Sequence, residues 1–167
     1  SMGVPHHMEN PLPQHFEMDA EGVWWGDFCK VSRGLIEKAG IAPEQIACVG
    51  ASTLGCDCLP VDANCVPLRK AILYGIDARA SEEIETLHSF YGPEVVSRVL
   101  GGNFRSDDIA PKILWICNNE TEFSGRTYKF LTGSSFIAAK LTGNYVIDHF
   151  LSKASFRPLS LSDGCVD

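Results

Sequence analysis

A capped helix followed at once by a short apolar run is the feature that most narrows what this chain can fold into. Asp19 stands where a helix N-cap is favoured, Glu21 falls in the first turn, Lys38 in the last, and Gly40 follows as the stop. Between them Trp24, Phe28, Val31, Leu35 and Ala39 recur at i, i+4, i+7, i+11 and i+15, a single apolar stripe. Packing against a sheet accounts for that stripe without any functional role. Pro43-Glu44-Gln45 then makes a one-turn start into Ile46-Ala47-Cys48-Val49-Gly50-Ala51-Ser52, which reads as a buried strand. A second strand is expected over about 56–61 after a Gly-containing turn, with Asp62-Ala63-Asn64 as turn residues. A link this short makes the two strands antiparallel.

The rest of the chain continues the alternation. Residues 1–4 read as a remnant of processing or cloning, and residues 5–167 as one unit. The stretch from Val4 to Met18 contains Pro5, Pro11 and Pro13 and no periodicity, so it is expected to be an extended surface arm. Lys70 to Tyr74 and Tyr128 to Leu131 are short extended candidates, and Asn103 to Asp108 is a polar loop. Helices are expected over about Ala80 to Phe90, Pro93 to Leu100, Pro111 to Asn118 and Ser134 to Leu141. The class is α/β, with a short mixed sheet flanked by helices.

Composition sets the limits. With 167 residues, 45% hydrophobic and 21% charged, the chain suits one soluble core and excludes disorder, collagen and a disulfide mini-protein. Fourteen basic against 21 acidic residues give a net charge of -7 with no basic block, which disfavours nucleic acid and acidic membranes as partners. Apolar runs such as Ile113 to Cys117 are about five residues, against the roughly 20 that span a bilayer. No basic segment followed by an apolar run opens the chain, so a cytoplasmic location is expected. Seven cysteines, Cys29, Cys48, Cys56, Cys58, Cys65, Cys117 and Cys165, are an odd number and read as reduced thiols. Cys56, Cys58 and Cys65 invite a metal or thiol-sensing reading, but paired C-x-x-C spacings are missing and no metal is expected.

The common catalytic signatures, from phosphate loops to G-x-S-x-G, do not occur. Two places bring polar groups to expected strand ends. Ser52-Thr53-Leu54-Gly55-Cys56-Asp57 is either a hairpin turn or a cradle for a small polyhydroxylated ligand, held by Thr53, Asp57 and backbone groups that Gly55 exposes. In Tyr74-Gly75-Ile76-Asp77-Ala78-Arg79, Asp77 is either a helix cap beside an Arg79 pair with Glu82 or Glu83, or a ligand contact.

A family resemblance separates these readings. Pro11-x-Pro13-x-x-x-Glu17-x-Asp19 with Trp24 resembles the arm and first helix of the FGGY carbohydrate kinases, which include xylulokinase, glycerol kinase and ribulokinase. Ile46 to Ser52 is similar to that family's second strand, and Pro67-Leu68-Arg69-Lys70-Ala71-Ile72-Leu73-Tyr74 with Asp77-Ala78-Arg79-Ala80 to its "RPAILW.D.RA" segment. Ala110-Pro111-Lys112-Ile113-Leu114-Trp115 resembles the "apKLlWl" helix. Lys129-Phe130-Leu131 to Lys140-Leu141-Thr142-Gly143, with Asp148 and Ala154-Ser155, is similar to the "kfl…LTG…D…AS" run. Five segments in register cover the chain from about Pro5 to Pro158.

The resemblance implies part of an actin-like ATPase (ribonuclease H-like) fold in which an N-terminal domain binds the sugar and a second domain holds most of the ATP and Mg. An aspartate takes the proton of the sugar hydroxyl that attacks the γ-phosphate. That aspartate and the ATP domain are expected beyond Asp167, and a strand with a D-x-G-T turn before Val4, so the chain alone is expected to be inactive. The Q-M-H-G stretch of xylulokinase-like members corresponds to Leu54, Gly55, Cys56 and Asp57, none of which is retained. Tyr74 corresponds to an aromatic lining the sugar site, and Ser135 replaces an aspartate found in many members. The sugar-site residues implied are therefore Thr53, Gly55, Cys56, Asp57, Tyr74 and Asp77, for a ketose or polyol substrate. A non-catalytic sugar-binding or regulatory module of the same fold is the alternative, and an uncovered strand edge makes a homodimer possible.

Overall fold

The computed structural model describes residues 1–98 and 101–160. The expected helix end at Leu100 and the thiol of Cys165 lie outside the described residues. The proline-rich arm is anchored rather than free: its end forms strand β1 (Glu17–Met18), and Glu9 bridges back to Glu17. Asp19 caps the next segment by accepting from the Gly22 N–H, as expected. Residues Ala20–Trp25 then form a wide π-helical stretch that leads into α1 (Gly26–Ala39), which stops at Gly40 in the left-handed conformation, φ 62°.

The largest departure from expectation follows α1. The run Ile46 to Ser52 is neither a strand nor buried: Ile46 is 38% and Val49 53% exposed. A strand holds its shape through ladder hydrogen bonds to a neighbour, and no described strand lies beside this run. The expected hairpin with the next strand therefore does not form. The same absence explains the apolar stripe of α1. Trp24 and Phe28 pack on the core, whereas Leu35, two turns farther on, is 38% exposed with no sheet to cover it.

The next strand, β2 (Leu59–Val61), pairs antiparallel with β4 (Lys129–Leu131), with Leu59 opposite Leu131. Asp62 accepts from the Asn64 and Val66 N–H groups, forming the expected turn. Strand β3 (Ala71–Ile72) pairs antiparallel with β1, and Cys58 bridges to Ile72, tying β2 to β3. Among the described residues the strands form two short two-stranded sheets, β1–β3 and β2–β4, linked only by the Cys58–Ile72 bridge, and all of these pairings are antiparallel. Helix α2 (Ser81–Arg98) breaks at Gly92, φ 74°, just before Pro93, which reproduces the two expected helices. Helices α3 (Ile109–Asn119), α4 (Thr121–Ser124) and α5 (Gly133–Thr142) follow. Helix α6 (His149–Ser155), not foreseen from periodicity, begins where Asp148 accepts from the Leu151 N–H.

Two apolar clusters meet along these strands. One joins Ala20, Leu59, Val61, Leu131 and Phe136, with Trp24, Trp25 and Phe28 against it. The other joins Cys58, Ile72, Ile109, Ile116 and Phe156. Each such fully buried large side chain contributes about 1.5–3 kcal/mol, so the core and not the two- and three-residue strands carries the stability. A third, smaller cluster of Val96, Phe104 and Ala110 holds α2 to α3. Together they fix the 53–57 turn among β3, α3, α5 and α6.

Candidate functional site

Four elements converge on the turn that precedes β2. A Cβ built on Gly133, at the start of α5, would lie 2.8 Å from Thr53 Oγ1, so any larger residue there would force Thr53 to shift. Gly55 faces Leu151 of α6, with 3.1 Å between the place of a Cβ and Cδ2. The Cys56 thiol lies 2.5 Å from Ser155 Oγ on the same helix. From α3, the Lys112 ammonium donates to the Cys56 carbonyl at 3.2 Å. Asp57 Oδ1 accepts the Tyr74 backbone N–H at 2.8 Å, joining the turn to the segment after β3. The structure thus brings Thr53, Gly55, Cys56, Asp57 and Tyr74 into one neighbourhood, with the Tyr74 side chain half in solvent at 37% exposure.

Burial sets the electrostatics here. Removal from water pushes the Asp57 carboxyl up to about 6 and the Cys58 thiol up to about 12, while the same burial lowers the Lys112 ammonium. Burial also raises the Cys56 thiol, which keeps it protonated and a poor nucleophile at neutral pH. The six described cysteines are free thiols.

Asp77 has a different occupation. Its carboxylate accepts from the Phe16 N–H at 2.6 Å, the Arg79 N–H at 3.1 Å and the Arg79 guanidinium at 2.8–3.0 Å. Arg79 pairs with Asp77 and with Glu17 at 2.9 Å, not with Glu82 or Glu83 as the helix spacing suggested. The reason is that the residue falls ahead of α2, where its side chain turns back to the β1 end and lies 4.9 Å over the Trp115 ring. Arg69 also reaches Glu17, so one carboxylate joins two buried guanidinium groups. These residues, with His15, Asn119 and Glu120, line a cavity of about 460 Å³ that contains none of the expected sugar contacts. With its carboxylate filled by Arg79 and Phe16, Asp77 braces the arm against the core.

Among the described residues no group of three or more His, Cys, Asp and Glu side chains is placed to hold a metal ion. Nor is any described helix long and apolar enough to cross a membrane.

Comparison with known proteins decides the family. The family model for the N-terminal domain of the FGGY family of carbohydrate kinases matches residues 2–157. The chain belongs to that family. Among curated FGGY relatives, the xylulose kinase of Staphylococcus xylosus is 32% identical over 84 residues, covering 50% of this chain and 17% of its own length. The glycerol kinase of Thermococcus onnurineus (strain NA1) is 28% identical over 149 residues, covering 87% of this chain and 29% of its own. The chain therefore spans less than a third of these curated FGGY kinases. The crystal structure of the xylulose kinase from Rhodospirillum rubrum superposes with a TM-score of 0.80 at 22% identity, covering 98% of this chain and 34% of that one. The fold is accordingly that of FGGY sugar kinases, the actin-like ATPase fold, present in part.

Within this FGGY domain, the residues that build the turn from outside were not singled out from the sequence. Lys112 carried the one available signal, a lysine within the otherwise apolar stretch Ile109 to Cys117. Ser155 fell within the family-like run ending in Ala154-Ser155 but with no role attached, while Gly133 and Leu151 carried no signal, because their role is closeness in space to a turn about 80 to 100 residues earlier.

Proposed function

We propose that this chain is the sugar-binding part of an ATP-dependent carbohydrate kinase, acting on a ketose or polyol, with xylulose the first substrate to test. The family match over residues 2–157 carries this reading. Relatives named xylulose kinase and glycerol kinase support the substrate class. In this reading Thr53, Gly55, Cys56 and Asp57 form one wall of the sugar site and Tyr74 the facing aromatic, with backbone groups of the turn meeting hydroxyls. Asp77 acts on the sugar only indirectly, through the arm and the segment leading to Tyr74.

Kinases of this family use ATP with Mg. The family likeness assigns most of the nucleotide and Mg contacts to the second domain, and this part is proposed to supply the sugar side. Nucleotide, metal and the proton-accepting aspartate are assigned to protein outside this chain. The proposed location is the cytoplasm, where ATP is supplied and free thiols persist.

The test is phosphorylation by a whole kinase carrying this domain, with xylulose and glycerol compared as acceptors and ADP as the readout. Sugar-dependent ADP release is expected there, and none from the 167-residue chain alone. ADP release by the isolated chain would refute the division of labour. A second reading, a sugar-binding module without catalysis, draws on the replacement of Gln, Met, His and Gly by Leu54, Gly55, Cys56 and Asp57. Sugar binding by the whole protein without turnover would select it.

A further inference from the structure

We infer that Lys112 is a positioning residue that fixes the sugar-facing turn, so that its ammonium, and not its bulk, sets the affinity of the site. This rests on the reading of residues 53–57 and Tyr74 as the sugar site. Lys112 is among the largest of the fully buried side chains of the described residues, 1% exposed, on an apolar helix where a methionine would fill the same space. Burying an ammonium is costly, so a lysine here has to be matched by groups that only it can serve. Two such groups are present. The Nζ donates to the carbonyl of Cys56 in the middle of the turn, and the carboxylate of the next residue, Asp57, lies close enough for each charge to influence the other's titration. Asp57 in turn accepts the Tyr74 N–H.

A continuous link therefore runs from α3, through Lys112 Nζ, to the Cys56 carbonyl, and through Asp57 to the backbone of Tyr74. Both walls of the proposed site hang on it. The peptide of Cys56 has no strand pairing of its own, since β2 begins at Leu59. Without the ammonium the turn loses its hold on α3, and Asp57 is left as a buried carboxylate without a nearby cation among its charge partners.

The test uses the whole 167-residue chain with xylulose and glycerol as probes. Lys112→Met is expected to weaken binding of whichever sugar binds by at least tenfold and, because the buried Asp57 carboxylate loses its cation, to lower the unfolding midpoint while the chain still folds. Amide resonance changes should concentrate at 55–57 and Tyr74. Lys112→Arg, which keeps a cation and donors, should recover part of the affinity. The double variant Lys112→Met with Asp57→Asn removes both charges and should stay weak. Full recovery would mean that Lys112 only neutralises Asp57, and would overturn the inference. Unchanged resonances and affinity in Lys112→Met would overturn it as well. In the wild type the ammonium protons of Lys112 should exchange slowly enough to be seen at neutral pH with cross-relaxation to Cys56, and fast exchange would count against the link even if Lys112→Met failed to fold. If wild type bound neither sugar, the site reading would fall, and the resonances at 55–57 and Tyr74 would still decide whether Lys112 positions the turn.

Discussion

At the scale of single residues, two carboxylates show how burial divides labour. Asp77 is matched on every side by Arg79 and the Phe16 N–H, so removing one partner strands the other. Arg79→Ala is expected to destabilise the domain by about 3–5 kcal/mol, read as a lower urea midpoint, because Asp77 and Glu17 both lose a buried cation. Asp57 behaves in the opposite sense. Its carboxyl is raised to about 6 by burial, from the ordinary 3.8, so the folded state holds the proton more tightly than the unfolded one. Its contribution is fully present below pH 3.8 and is lost as pH rises through about 6. Asp57→Asn should therefore flatten the stability profile between those values, by on the order of 1–3 kcal/mol across the window, as followed by denaturation at stepped pH. A profile unchanged by the substitution would place the titration elsewhere.

At the scale of elements, local signals were readable where local forces decide the structure. The Asp19 cap, the Gly40 stop, the Asp62 turn and the break before Pro93 all follow from short-range chemistry, and all are present. The run 46–52 misled because an apolar stretch reports a preference for burial, while a strand also needs a neighbour. The site was legible only in part for a similar reason. Thr53 to Asp57 and Tyr74 stood out through turn chemistry and the family likeness, whereas Gly133 matters only because α5 starts against Thr53. Gly133→Ala puts a methyl within 2.8–3.0 Å of three Thr53 atoms, so the turn has to shift. The expected result is a loss of about 1–3 kcal/mol by thermal unfolding, together with weaker sugar binding. Adding Thr53→Ser, which removes the Cγ2 methyl and frees the hydroxyl to rotate, should recover part of both.

At the scale of the whole molecule, likeness to the FGGY kinases was legible because five segments keep their order along the chain, even though no single one is decisive. Ile41, Ile46, Val49 and Leu54 are all exposed along one stretch of chain that also contains residues 47–52, which pair with no described strand. Apolar side chains beside free N–H and C=O groups form a template for pairing with another strand, and a second copy of this chain supplies an identical one. The isolated chain is therefore expected to self-associate as its concentration rises, with light scattering reporting mass above the 18.3 kDa monomer. Val49→Lys places a charge in the middle of that edge and should return the monomer, because a like-charged partner edge then repels it. The substitution touches no described packing around the 53–57 turn, so sugar binding should survive it. A wild type that stays monomeric at every concentration would mean that the run 46–52 is kept apart by its own solvation.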